Sequence, residues 1–148
     1  MYTFRQATLD DMPIIIHHRH QMFLDMDSPE RAEMAQRVFP GWLEKALPEG
    51  TYLGLFAEFE GQVVAGTGIM FHHWLPGSDG STLRGYLLNV YVEREHRRKG
   101  LAKTLLQQAL DICQGRGINT VTLHASEMGR PVYQGLGFRA LNEMMWKA

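Results

Sequence analysis

LLNVYVEREHRRKGLAKTLLQQAL, residues 87–110 of a 148-residue chain, reads as a strand, a basic glycine-containing turn and a helix. Leu87-Leu88-Asn89-Val90-Tyr91-Val92 is rich in β-branched and aromatic side chains, as a largely buried strand is. Leu101, Ala102, Leu105, Leu106, Ala109 and Cys113 recur at spacings of three and four, which places them on one face of a helix. Between strand and helix lies Arg97-Arg98-Lys99-Gly100-Leu101-Ala102. The first turn of a helix carries backbone N–H groups with no internal partner and a partial positive charge. Gly100 has no Cβ to keep an anion away, and Arg97, Arg98 and Lys99 add charge at the same place. These features together describe a site for phosphate or pyrophosphate.

Arg97, Gly100 and Ala102 also fill the pattern Gln/Arg-x-x-Gly-x-Gly/Ala after a central strand. Further on, Tyr133-Gln134-Gly135-Leu136-Gly137-Phe138 fills Tyr-x-x-x-Gly-Phe, and the span between the two leaves room for a helix, a strand and a turn. On these motifs the chain resembles the GCN5-related N-acetyltransferases, the GNAT enzymes, over about residues 3–147. The resemblance implies an α/β protein, a GNAT-like three-layer α/β sandwich with a mixed, splayed central sheet, as one domain over residues 1–148. It implies an acetyl-CoA-dependent N-acetyltransferase that moves the acetyl group to a primary amine of a small molecule or peptide by direct attack in a ternary complex. A homodimer is common in such proteins. Two rivals use the same residues. One is a non-catalytic acyl-CoA-binding or sensing module with the same fold, against which the presence of Tyr133 speaks. The other is a nucleotide binder, weakened by the absence of G-x-x-x-x-G-K-[ST] and G-x-G-x-x-G.

The resemblance also assigns residues. Backbone groups of Val90, Tyr91 and Val92, on the splayed edge, would bond the pantetheine arm of CoA. The N–H groups of Arg98, Lys99, Gly100, Leu101, Ala102 and Lys103 would hold its pyrophosphate, beside Arg97. Tyr133 would be the general acid: a phenol of ordinary pKa about 10 is matched to protonating the CoA thiolate expelled when an amine attacks the thioester. Ser126 stands where many relatives carry asparagine, and it either contacts the cofactor or caps the following helix. No acid lies on Thr120-Val121-Thr122-Leu123, so the base is sought among Glu58, His72, His73, His124, Glu127 or a water chain. Asn89, facing away from Leu88 and Val90, either orients an acceptor or water or is satisfied by neighbouring backbone.

Hydrophobic residues make up 45% of the chain and charged residues 21%, a soluble globular composition with a single sizeable core. The net charge of −1 gives no general basic field, so nucleic acid is not an expected partner. The lone Cys113 fits a reducing cytoplasm and a packed thiol. MYTFRQATLDD lacks an apolar signal core, and the stretch 61–83, with Asp79 as its one formally charged residue, is broken by glycine, histidine and proline, so no membrane span is expected. His17, His18 and His20 have no nearby carboxylate or cysteine to complete a metal set, and no metal is expected.

In chain order, Tyr2–Ala7 alternates as a first strand, and Thr8-Leu9-Asp10-Asp11 offers caps to a helix over Ile14–Asp25. A second helix starts at Ser28-Pro29-Glu30 and runs to about Leu47, with Pro40-Gly41 expected to kink or break it. Tyr52–Glu58 and Gln62–Phe71 read as strands joined at Glu60-Gly61. His72–Arg84 reads as a long loop beside the acceptor site, and Gly115-Arg116-Gly117 as a helix end. Asn119–Ala125 is a strand, Gly129–Gly135 a short helix, and Phe138–Lys147 a last strand closing the sheet, with Met144-Met145-Trp146 packed there or at a dimer edge.

Overall fold

The computed structural model describes residues 1–148. Five strands form one sheet in the order β1 (Tyr2–Gln6), β2 (Tyr52–Phe59), β3 (Gln62–His73), β4 (Leu83–Val92), β5 (Val121–Leu123). Neighbours pair antiparallel except β4 and β5, which run parallel, so the sheet is mixed. Helices α1 (Met12–Asp25) and α2 (Pro29–Glu49) cover one face, and α3 (Leu101–Gly115) covers the other, with α4 (Arg130–Gly135) leaning on α3. This is the three-layer α/β arrangement the motifs imply.

Strand alternation divides the core in two. Leu53, Leu55 and Ala57 of β2 pack with Leu105, Leu106, Ala109 and Cys113 of α3. Tyr52 and Phe56 point the other way, onto Ile15 of α1 and onto Phe39 and Leu43 of α2. Period two on the sheet and period 3.6 on the helices thus bury two separate clusters, one per face. At Glu60-Gly61 both residues have positive φ, 50° and 77°, the geometry of a tight two-residue hairpin.

Pro40 does not break α2. Ala32, Ala35, Phe39, Leu43 and Ala46 form one buried stripe that runs through it. A break there would throw Phe39 or Leu43 out of register, about 1.5–3 kcal/mol each when buried, against about 3 kcal/mol for a proline in a helix interior. The long loop also contracts. Pairing of β3 with β4 continues to His73↔Leu83, leaving a connection of residues 74–82. Conversely, β5 is shorter than expected, and Phe138–Lys147 is not a strand. Its residues pair with no edge, and Met144 and Trp146 are exposed, 93% and 85%, not packed on the sheet.

The helix ends obey local rules. Gly117, at φ 75°, closes α3, with the Ile118 N–H donating to the Cys113 carbonyl. At α4, Gly137 has φ 98°, and the Phe138 N–H donates to the Tyr133 carbonyl at 3.0 Å while the Gly137 N–H donates to that of Gln134. The Phe138 ring then meets the Tyr133 ring edge-on at 6.2 Å. Tyr-x-x-x-Gly-Phe is therefore a helix terminator with its apolar clasp, and the clasp fixes Tyr133.

Candidate active site

Strand β4 is irregular at Asn89. Gly66 pairs with Tyr91 but Gly68 pairs with Leu88, so Thr67 faces two residues, Asn89 and Val90, and Asn89 has φ 57°. The extra residue reverses the alternation. Leu88 packs with the α1/α2 cluster, and Asn89 points to the same side. The expectation that Asn89 faces away from Leu88 is thus corrected by the bulge. Asn89 is 3% exposed. Its Nδ2 donates to the Tyr52 hydroxyl at 3.1 Å, and its Oδ1 accepts from Arg19 Nη1 at 2.7 Å. Neighbouring side chains satisfy it, not backbone. Burial pushes the Tyr52 phenol up to about 12, so it stays a neutral member of this network.

Pairing of β4 with β5 stops at Leu87↔Leu123, so the two strands part beyond it. The Glu93 N–H bonds Val64 on β3, so by alternation Tyr91 also pairs toward β3, while Val92 turns its backbone groups toward the opening. The Val92 carbonyl there accepts from Arg97 Nε at 2.8 Å. Arg97 is further tied to Asp25 at 2.6 Å and lies over the Tyr91 ring. Its guanidinium therefore braces the turn against α1. Of the expected cofactor residues in the strand, Val90 has no partner in the register with β3, and Val92 has its carbonyl taken by Arg97.

The basic turn is built as its sequence indicates. Arg98 and Gly100 adopt left-handed φ, 62° and 78°. None of the six N–H groups from Arg98 to Lys103 donates to a backbone carbonyl, and the first that does is Thr104, to Gly100, at 3.0 Å. The side chains of Arg98, Lys99 and Lys103 are exposed and make no ion pair. Six unpartnered N–H donors in succession and three free cations fit a pyrophosphate.

Tyr133 is 9% exposed, and its hydroxyl makes no hydrogen bond within the chain. Burial raises its pKa, which keeps the proton on. Gly129 makes room for this ring: a Cβ there would lie 2.8 Å from Tyr133 Cε2. Ser126 Oγ accepts the Gly129 N–H at 3.1 Å and so holds the turn before α4, leaving its own O–H free to donate.

Among the base candidates, Glu58 is engaged by Arg5 at 2.6 Å at the β1–β2 edge of the sheet, and His72 stands against Trp74. His124 follows β5 directly, and its Nδ1 lies 2.7 Å from the Tyr86 hydroxyl. Tyr86 shares the α1/α2 side with Leu88 by alternation. On that side lies a groove of about 470 Å³ between the two helices and the sheet, with Leu88 and Met70 forming part of its wall. Arg19 and Arg31 also line it. Burial lowers the pKa of Arg19. The sequence reading missed Tyr86, Arg19, Arg31 and the bulge. A lone arginine in an apolar helix and an asparagine inside a strand were the available signals.

Residues 15–138 match the model of the acetyltransferase (GNAT) family. The structure superposes on a GCN5-related N-acetyltransferase from Ralstonia eutropha with a TM-score of 0.95 at 32% identity, covering 100% of this chain and 99% of that one. It also superposes on a predicted acetyltransferase from Clostridium acetobutylicum, solved with acetyl-CoA, with a TM-score of 0.87 at 26% identity over 100% and 96% of the two chains. Among characterised proteins, similarity extends to N-alpha-acetyltransferase 30 of Schizosaccharomyces pombe, 36% identical over 62 residues, 40% of this chain and 41% of that protein. It extends also to glucosamine 6-phosphate N-acetyltransferase of Trypanosoma brucei brucei, 36% identical over 61 residues, 41% of this chain and 42% of that one. The matched region thus spans about two fifths of each of these two relatives.

Proposed function

The chain belongs to the GNAT acetyltransferase family, and from that premise we propose that residues 1–148 work as one acetyl-CoA-dependent N-acetyltransferase domain acting on a primary amine. The observation that carries the donor half is the set of six unpartnered N–H groups at Arg98–Lys103 beside three free cations. These would hold the pyrophosphate, and the backbone of Val90 and the Val92 N–H would receive the pantetheine arm. Ser126 can add its free O–H.

Acetyl-CoA supplies a thioester carbonyl, at which the acceptor nitrogen forms a new N–C bond as the C–S bond breaks. The chain must remove a proton from the acceptor ammonium and return one to the departing sulfur. We assign the first role to His124, held by Tyr86 on the groove side of the strand opening. Tyr133 takes the second: its hydroxyl is free, protonated at neutral pH and fixed by the Phe138 clasp.

Two measurements test this reading. A ligand at 100 times its dissociation constant stabilises the folded state by about 2.7 kcal/mol, so acetyl-CoA should raise the melting temperature by about 5–10 °C, and ATP should not. Tyr133→Phe should then keep that shift while turnover, followed by thiol release, falls by about two orders of magnitude. Unchanged turnover would remove the acid role, and no thiol release with any amine would reduce the protein to an acyl-CoA-binding module.

A further inference from the structure

Resting on the acetyl-transfer reading, we propose that the acceptor is an amine bearing an anionic group and a large apolar body, an apolar α-amino acid or close analogue, with its anion on Arg19 and Arg31.

The groove holds about 470 Å³, room for one molecule of amino-acid size. Eight of its ten lining residues are hydrophobic, and the other two are Arg19 and Arg31. No acidic residue lines it, and neither arginine takes part in any ion pair of the structure. Both guanidinium groups pack on the Phe23 ring, at 4.9 and 4.6 Å from its centre. Phe39 adds a second face to Arg19, at 5.0 Å. Like charges lining one apolar groove, without a counter-charge, are unfavourable until an anion joins them. Arg19 donates within the chain to Asn89 alone, leaving most of its five N–H donors for a ligand. The planar fork of a guanidinium suits a carboxylate in bidentate contact.

The opposite requirement comes from the wall. Met34, Val38 and Trp42 line the groove and are 51%, 60% and 40% exposed, a patch that a ligand's apolar part would cover. Leu88, beside the bulge, borders the groove where β4 leaves β5, so a ligand lying here reaches the strand opening. Polyamines and aminoglycosides fit poorly, because they bring cations to an uncompensated cationic site.

The test is calorimetric titration of the protein, with CoA present, by N-acetyl-L-phenylalanine, its neutral amide, N-acetyl-O-phosphoethanolamine and N-acetylspermidine. The acid should bind at least tenfold tighter than the amide, and spermidine's derivative should not bind. Arg31→Met should remove most of the acid's advantage and leave the amide unchanged. Equal binding of acid and amide, tightest binding of the cation, or an advantage that survives Arg31→Met would overturn the anion site. Tightest binding of the phosphorylated compound would overturn the apolar body. Thiol release with phenylalanine but little with phenethylamine is the matching kinetic result. Selective binding of the acid without thiol release from any amine would leave the site standing and overturn the acetyl-transfer reading instead.

Discussion

Replacing Asn89 should separate two energies stored at the bulge. The side chain bridges Arg19 and the Tyr52 hydroxyl while its backbone sits at φ 57°. Asn89→Gly keeps the backbone free to adopt that angle and removes both hydrogen bonds. Losing the bond to the guanidinium costs about 1.5–3 kcal/mol, and leaving the buried Tyr52 hydroxyl unpaired costs about 1–3 kcal/mol. A total of about 3–5 kcal/mol lowers the melting temperature of a chain this size by roughly 10–15 °C. Asn89→Ala should be lower still by about 1 kcal/mol, because alanine resists the left-handed region. Asn89→Asp keeps an acceptor for both partners, since the tyrosine can turn its own O–H to a carboxylate, and should be the mildest of the three. Denaturant unfolding of the three variants, with and without Tyr52→Phe, measures each term, and Tyr52→Phe should cost less in the Asn89→Gly background than alone. If glycine and alanine are equally stable, the backbone strain is not there. If glycine matches wild type within about 2 °C, the network contributes nothing and the bulge is held by something else.

Further expectations concern pH and the donor site. Burial, with a smaller push from His17, lowers the His18 pKa to about 4 from 6.5. Between those values the unfolded chain takes up a proton that the folded chain refuses, so stability falls as pH drops through the window, by up to about 3 kcal/mol. His18→Gln should flatten that part of the stability–pH curve, and a curve of unchanged slope would point to another group. Gly100 has φ 78° and open space around it, so Gly100→Ala meets backbone strain alone, about 1–2 kcal/mol. Its melting temperature should fall by about 3–6 °C, and the additional rise given by acetyl-CoA should shrink as the N–H groups shift. A full-sized rise would place the anion elsewhere.

What could be read in the sequence was local. The basic turn depends on seven consecutive residues, and Tyr133, Gly137 and Phe138 form their clasp across six positions, so spacing alone exposes both. The bulge depends on Tyr52 and Arg19, far away in the chain, and an asparagine in a strand does not say whether it breaks the alternation. Pro40 misleads because its cost is local while the stripe that overrides it is set by the packing of α2 on the sheet. Phe138–Lys147 reads as a strand closing the sheet, yet the structure gives those residues no strand to pair with. Arg19 and Arg31 come from different helices, and only the packing of α1 on α2 reveals that they share a ring.

The sheet keeps its two clusters apart, and with them the two halves of recognition. The turn expected to grip the common donor opens α3 on one face, while the groove expected to discriminate among acceptors is cut into α1 and α2 on the other. Residues on the helical wall of the groove can therefore drift without disturbing the packing that shapes the donor grip. A scaffold partitioned in this way is able to acquire new acceptors by surface change on a single face, and its history of specialisation should be written almost entirely in residues 12–49.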